Sequence, residues 1–200
     1  MSEVSNLQLS QFDAFRNVVA SINSTAVLPA QVFAGDWYQF LFCESDRIFE
    51  PAFANVVTDL LLLEQANSCC FINFDTSPVI ELPIADVLFV DKQITPVEFS
   101  ASLRRGGPSL GWFYSMYRYG CTSDIGEWCI YFEKMNDMAV IGLRHLGSIE
   151  KFASPLKELY AHSIETFLEM GSSAPIPFNK LVDTWRHSLI RNYSTMHTEG

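Results

Sequence analysis

Trp128-Cys129-Ile130-Tyr131-Phe132-Glu133, then Lys134-Met135-Asn136-Asp137, then Met138-Ala139-Val140-Ile141-Gly142-Leu143: two apolar runs flank one short turn segment. Aromatic and β-branched residues fit a pleated, buried surface, and so short a connection joins antiparallel neighbours. Upstream, Trp112-Phe113-Tyr114-Ser115-Met116-Tyr117-Arg118-Tyr119, closed by Gly120, reads as a third strand. The region from Trp112 to Leu143 is therefore expected to be a three-stranded antiparallel meander.

Helical patterns surround it. Phe12, Phe15, Val18 or Val19, and Ile22 recur at three- and four-residue steps after Ser10, giving an amphipathic helix with a Ser N-cap. Trp37 to Phe42 reads as a strand opened by Gly35-Asp36. Pro51 suits the first turn of a helix to about Gln65, Asn67-Ser68 ends it, and Cys69 to Phe74 is a buried strand. Pro78 and Pro83 bound a short extended piece, Val79 to Leu82, and Val87 to Val90 fits either a strand or a helix fragment. Thr95-Pro96-Val97-Glu98 is a capping box with Pro at the first helical position; that helix passes Phe99 and Leu103, carries Arg104 and Arg105 on its last turn, and stops at Gly106-Gly107-Pro108. Ser154-Pro155-Leu156-Lys157-Glu158 repeats the pattern and predicts a helix to Met170-Gly171. Asn179 caps a last helix through Leu181, Trp185, Leu189 and Ile190, and the chain frays from Ser194. The fold class is α+β: an antiparallel sheet with a meander in its C-terminal half, flanked by about five helices, in one domain over residues 1–200.

Charge divides where structure does not. Residues 1–91 hold twelve acids against Arg16 and Arg47, whereas residues 92–200 hold eleven of each sign, so the net charge of -10 belongs to the front. The same front is apolar (Val56-Val57, Leu60 to Leu63, Phe71-Ile72), so it is a folded body rather than an acidic tail. Its carboxylates are expected to gather as a surface that steers a basic partner and repels nucleic acid. The longest apolar run, Leu60 to Leu63, falls far short of the roughly 20 residues of a membrane span. Met1 to Ser5 lacks a basic and an apolar region, so a cytoplasmic location is expected.

Catalytic chemistry finds little purchase. Cys43, Cys69, Cys70, Cys121 and Cys129 are an odd set without framework spacing, read as buried reduced thiols, with Cys69 and Cys70 sent to opposite faces of a strand. Cys121, after Tyr119-Gly120, is the most exposed-looking of the five. No Cys-x2-Cys or His-x3-His pair exists, so neither a metal nor a cofactor is expected. Arg104 to Ser109 follows a helix, where a phosphate loop would follow a strand. His162 and Glu165 stand three apart on one expected helix, as a surface pair. His145 follows the meander beside Arg144, and an enzyme reading would pair it with Glu133 or Asp124. A subunit of a larger assembly is a third reading.

Recognition fits better. Asp124 and Glu127 precede the meander's central strand, Glu133 and Asp137 bracket its turn, and Trp128 and Tyr131 stand between. Aromatic anchors beside charges are the composition of an interface hot spot. With Asp36, Glu44 and Asp46 from the acidic front, these residues form the expected partner-binding set.

Gly126 to Glu133, followed by Asn136 to Arg144, resembles a pattern in small bacterial immunity proteins, the antidotes to polymorphic and contact-dependent toxins: a Trp-containing strand, a turn and a second apolar strand. The resemblance implies a cytoplasmic, non-catalytic protein that binds one toxin domain tightly. Many such toxins are nucleases with basic clefts, which an acidic surface would complement.

Overall fold

In the computed structural model, which describes residues 3–75, 86–105, 111, 117–176 and 178–194, Trp128, Ile130 and Phe132 face one side of a strand and Cys129 and Tyr131 the other. All five are buried, because helices cover both faces of the sheet. That is why the runs are continuously apolar instead of alternating, a pattern more usual in parallel sheets.

The six strands are β1 (Gln39–Glu44), β2 (Ser68–Asn73), β3 (Val87–Asp91), β4 (Arg118–Ser123), β5 (Trp128–Glu133) and β6 (Met138–Leu143). They lie in the order β1-β6-β5-β4-β2-β3, every neighbour antiparallel. Among the described residues the helices are α1 (Glu3–Ser21), α2 (Phe53–Glu64), α3 (Pro96–Arg105), α4 (Ser148–Lys151), α5 (Ala153–Glu158), α6 (Ile164–Met170) and α7 (Asp183–Tyr193). The architecture is α+β, and β4-β5-β6 form a meander whose second and third strands are the expected ones, while its first strand begins only at Arg118. None of these helices is long and apolar enough to cross a membrane.

One face packs α2, α3 and α5 on Leu41, Phe71, Tyr119, Trp128 and Phe132. The other packs α1, α6 and α7 on Phe42, Ile72, Tyr131 and Val140. Cys69 and Cys70 go to opposite clusters, as strand geometry requires. At Gly142 on β6 the Trp37 ring lies so close that a Cβ would come within 2.8 Å of Cε3, so only glycine admits it. The Arg144 guanidinium then stacks 4.1 Å from the Trp37 ring and bonds Gly126 O and Ser21 Oγ, tying α1 to the β4–β5 loop.

Several expectations need correction. Gly120 sits inside β4, where a Cβ would collide with Ile22; the glycine marks close packing of α1, and the strand runs on to Ser123. Cys121 is consequently buried on that strand, and its thiol is pushed up by desolvation. Ser10 lies inside α1 and is buried there. Val87 to Val90 resolves as edge strand β3. The helix expected from Ser154 to Met170 breaks: Tyr160 takes φ +52°, a left-handed conformation that cannot continue a helix, and Ser163 caps α6 afresh through the Thr166 amide. α5 begins at Ala153, ahead of Ser154, and α7 begins at Asp183, with Asn179 in a separate 3-10 turn. The expected pieces at 79–82, 106–109, most of 112–119 and the tail from 195 lie outside the described residues.

Candidate functional site: the acidic end of the sheet

Strand register sorts the charged residues into two groups. Glu44 ends β1, Glu133 ends β5, Arg118 starts β4, and Asp137 precedes β6, so all lie at one end of the sheet. Asp75 follows β2 and Asp86 precedes β3 at that same end, and the 3-10 turn Ser45–Phe49 brings Asp46, Arg47 and, just after it, Glu50. Glu44, Asp46, Glu50, Asp75, Asp86, Glu133 and Asp137 thus meet Arg47, Arg118 and Lys134 at these strand ends and turns, an excess of carboxylates. The opposite end mixes Asp13, Asp36, Asp91, Asp124 and Glu127 with Arg16, Lys92, Arg144 and Lys151, and is nearly balanced.

A cleft of about 550 Å³ opens at the acidic end. Asp75, Arg118 and Glu133 form its charged wall; Val27, Tyr117 and Met135 form an apolar rim and are 45%, 50% and 75% exposed. Asp75 accepts the backbone amides of Tyr117 and Arg118 at 3.1 and 2.6 Å and the Arg118 Nε at 2.9 Å, while Arg118 also reaches Ser24 O. Arg118 and Glu133 are register partners across β4 and β5. Glu133 is buried and fully used: Oε2 accepts the Leu28 amide at 2.9 Å and the Tyr131 hydroxyl at 3.0 Å, and Oε1 accepts the Asn136 amide group. It therefore fixes the 27–30 loop as the cleft's wall. Burial, then the neighbouring Glu133 charge, push the Tyr131 hydroxyl up, so it stays a donor. At the β1 edge of the same end, Arg47 lies between Glu44 and Glu50 and stacks over Tyr160 at 4.8 Å.

The expected partner-binding set is therefore divided. Glu44, Asp46, Glu133 and Asp137 come together here; Asp36, Asp124 and Glu127 lie at the far end. Trp128 and Tyr131 are core residues, 0% and 1% exposed, and offer no surface to a partner. The Asp124 carboxylate caps the start of β2 by accepting the Asn67 and Ser68 amides, and Glu127 pairs with Lys151. Among the described residues the acidic front does not gather as one surface either: Glu64 is buried, Asp75 is paired with Arg118 from the back half, Glu44, Asp46, Glu50 and Asp86 lie at one end, and Asp13, Asp36 and Asp91 at the other. Electrostatic concentration arises instead from mixing acids of both halves.

The enzyme pairing of His145 with Glu133 fails on distance. His145 lies two residues beyond Leu143, which faces Trp128, whereas Glu133 is at the other end of β5, about 17 Å along a strand. Asp124 shares the His145 end, but its carboxylate is occupied as a cap. His162 is not helical: its backbone pairs with Phe42 on β1 and its ring packs edge-on against Phe167. It also lines a largely apolar groove of about 800 Å³ with Leu41 and Leu156. Among the described residues no cluster of three or more His, Cys, Asp or Glu could hold a metal ion.

Sequence reading missed Asp75, Arg118, Tyr117, Met135 and Val27. Only the register of β4 brings Asp75 to Arg118, and ending that strand at Gly120 hid it. No protein-family model, curated protein or solved structure matches this chain.

Proposed function

We propose that this chain is a non-catalytic cytoplasmic binding protein of the immunity type, which blocks a basic partner through the acidic end of its sheet. The supporting observation is the excess of seven carboxylates over three bases along that end of the sheet, with Asp75, Arg118 and Glu133 lining a cleft rimmed by Val27, Tyr117 and Met135. Charge in that arrangement accelerates encounter and rejects acidic surfaces, while exposed apolar side chains slow dissociation. Asp46 and Asp137, both exposed, carry the steering; Tyr117 and Met135 supply the anchors.

The test is association kinetics against cationic toxin nuclease domains over a salt series. The association rate should fall steeply with salt, and the double variant Asp46→Lys, Asp137→Lys should lower it by about tenfold or more at low ionic strength. A salt-independent rate, an acidic partner, or a double variant that binds as fast as the parent would refute the reading.

A further inference from the structure

At the opposite end of the sheet, where α2 meets the β4–β5 loop, Glu64 is 6% exposed and sits among core side chains. Its Oε1 accepts the Glu127 amide at 2.5 Å, so the last residue of α2 holds the loop's final residue. Its Oε2 is buried without a hydrogen-bond partner, and so is the indole Nε1 of Trp128, one residue further on. Ser123, whose Oγ accepts the Ile125 and Gly126 amides at 3.1 and 2.9 Å, also faces the carboxyl. The loop is thus shaped by Ser123 from within and fastened by Glu64 from beneath.

We infer that Glu64 is a proton-operated latch on residues 124–127: neutral, it holds the loop down; ionised, it draws water under the loop and loosens it. A buried carboxyl oxygen without a donor is tolerable uncharged and costly charged. Burial, reinforced by the like charge of Glu127 and opposed by the Glu127 amide bond and the nearby Ser123 hydroxyl and Trp128 indole, raises the carboxyl above its ordinary range. The other ionisable groups at the loop have their own places. Arg144 bonds Gly126 O and Ser21 Oγ, Lys151 pairs with Glu127, Asp124 caps β2, Lys92 bonds Asn67, Cys69 lies beneath on β2, and Asp13 and Arg16 of α1 flank Asp124 and Ile125 on the outer side. α3 and α5, also packed on α2, keep Glu98, Arg104, Arg105, Lys157 and Glu158 exposed, and Asp46 and Arg47 lie by the other end of α2. The sign follows from linkage: the closed loop binds the proton more tightly than an open one, so closure is favoured at low pH. It weakens as pH rises from the denatured-chain value through the folded one.

The latch is tested by following the Glu64 side-chain carboxyl carbon and the Ile125, Gly126 and Glu127 amides by NMR between acid and neutral pH. The carboxyl should titrate above a glutamate of the denatured chain, and the three amides should lose about tenfold protection over the same interval, beyond intrinsic exchange chemistry. Glu64→Gln, neutral at every pH, should keep that protection throughout, and Glu127→Gln should move the midpoint down. A Glu64 carboxyl titrating at the denatured-chain value would overturn the inference in the parent protein alone. So would a Glu64→Gln chain that retains the full pH-dependent loss.

Discussion

Asp124 and Ser68 hold each other in both directions: the Asp124 carboxylate accepts the Ser68 amide at 3.1 Å, and the Asp124 amide donates to Ser68 O at 2.9 Å. The same carboxylate oxygen takes the Asn67 amide at 2.9 Å, so one side chain satisfies the backbone where α2 hands over to β2. Asp124→Ala should cost about 1–3 kcal/mol in urea unfolding, with an unchanged denaturant slope. Asp124→Asn retains an acceptor and should lose less. An alanine variant as stable as the parent would show that water replaces the carboxylate at no cost.

Glu133 makes a sharper case because it is buried and serves three donors. Glu133→Ala strands the Leu28 amide and the Tyr131 hydroxyl and removes the acceptor of the Asn136 amide group. A loss of about 3 kcal/mol in unfolding free energy is expected. Glu133→Gln keeps an acceptor and should fall between alanine and the parent. Equal stability of the two variants would argue that the hydrogen bonds to the 27–30 loop are unimportant.

Two exposed-looking residues of the hairpin separate by the same logic. Trp128→Ala removes a wholly buried ring and should destabilise by about 3–5 kcal/mol, seen as a lower melting temperature. Met135→Ala, on a side chain 75% exposed, should stay within about 0.5 kcal/mol of the parent. If Met135→Ala slows dissociation of a basic partner, or leaves it unchanged, the anchor role proposed for the cleft rim is wrong.

Much of this was legible in the residues, and the failures have physical causes. β5 and β6 were readable because every residue in them suits a covered strand, and the start of α3 because Thr95 and Glu98 carry its cap within four residues. The amides and hydroxyl of that box bond as the spacing requires, Thr95 N and Oγ1 to Glu98 Oε2 and Glu98 N to Thr95 Oγ1. Gly120 misled because a glycine that stops a strand and one that admits Ile22 look identical in sequence. Trp128 misled because a sheet covered on both faces has no outward side for it. Asp75 and Arg118 are brought together by strand pairing, which no local pattern records.

That box also sets a pH response. Hydrogen bonds from the Thr95 side chain and backbone hold the Glu98 carboxyl below the usual glutamate range. A depressed carboxylate stabilises the fold above its unfolded value and loses that contribution as pH falls through the folded one. The Thr95 amide should therefore lose protection selectively on acidification, and Glu98→Gln should flatten its pH profile. A parent amide insensitive to acid would mean that the cap persists with a neutral glutamic acid.

The pairing of Phe42 with His162 reaches further than its two backbone bonds of 2.7 and 3.0 Å. An outermost strand rich in phenylalanine is an inviting template for a foreign chain, and Phe40 and Phe42 make β1 such a strand. By pairing its own backbone at Phe42, in the middle of that rim, the chain shortens the edge left open to another molecule. The tight corner at Tyr160, where the expected helix ends, is what turns His162 toward it.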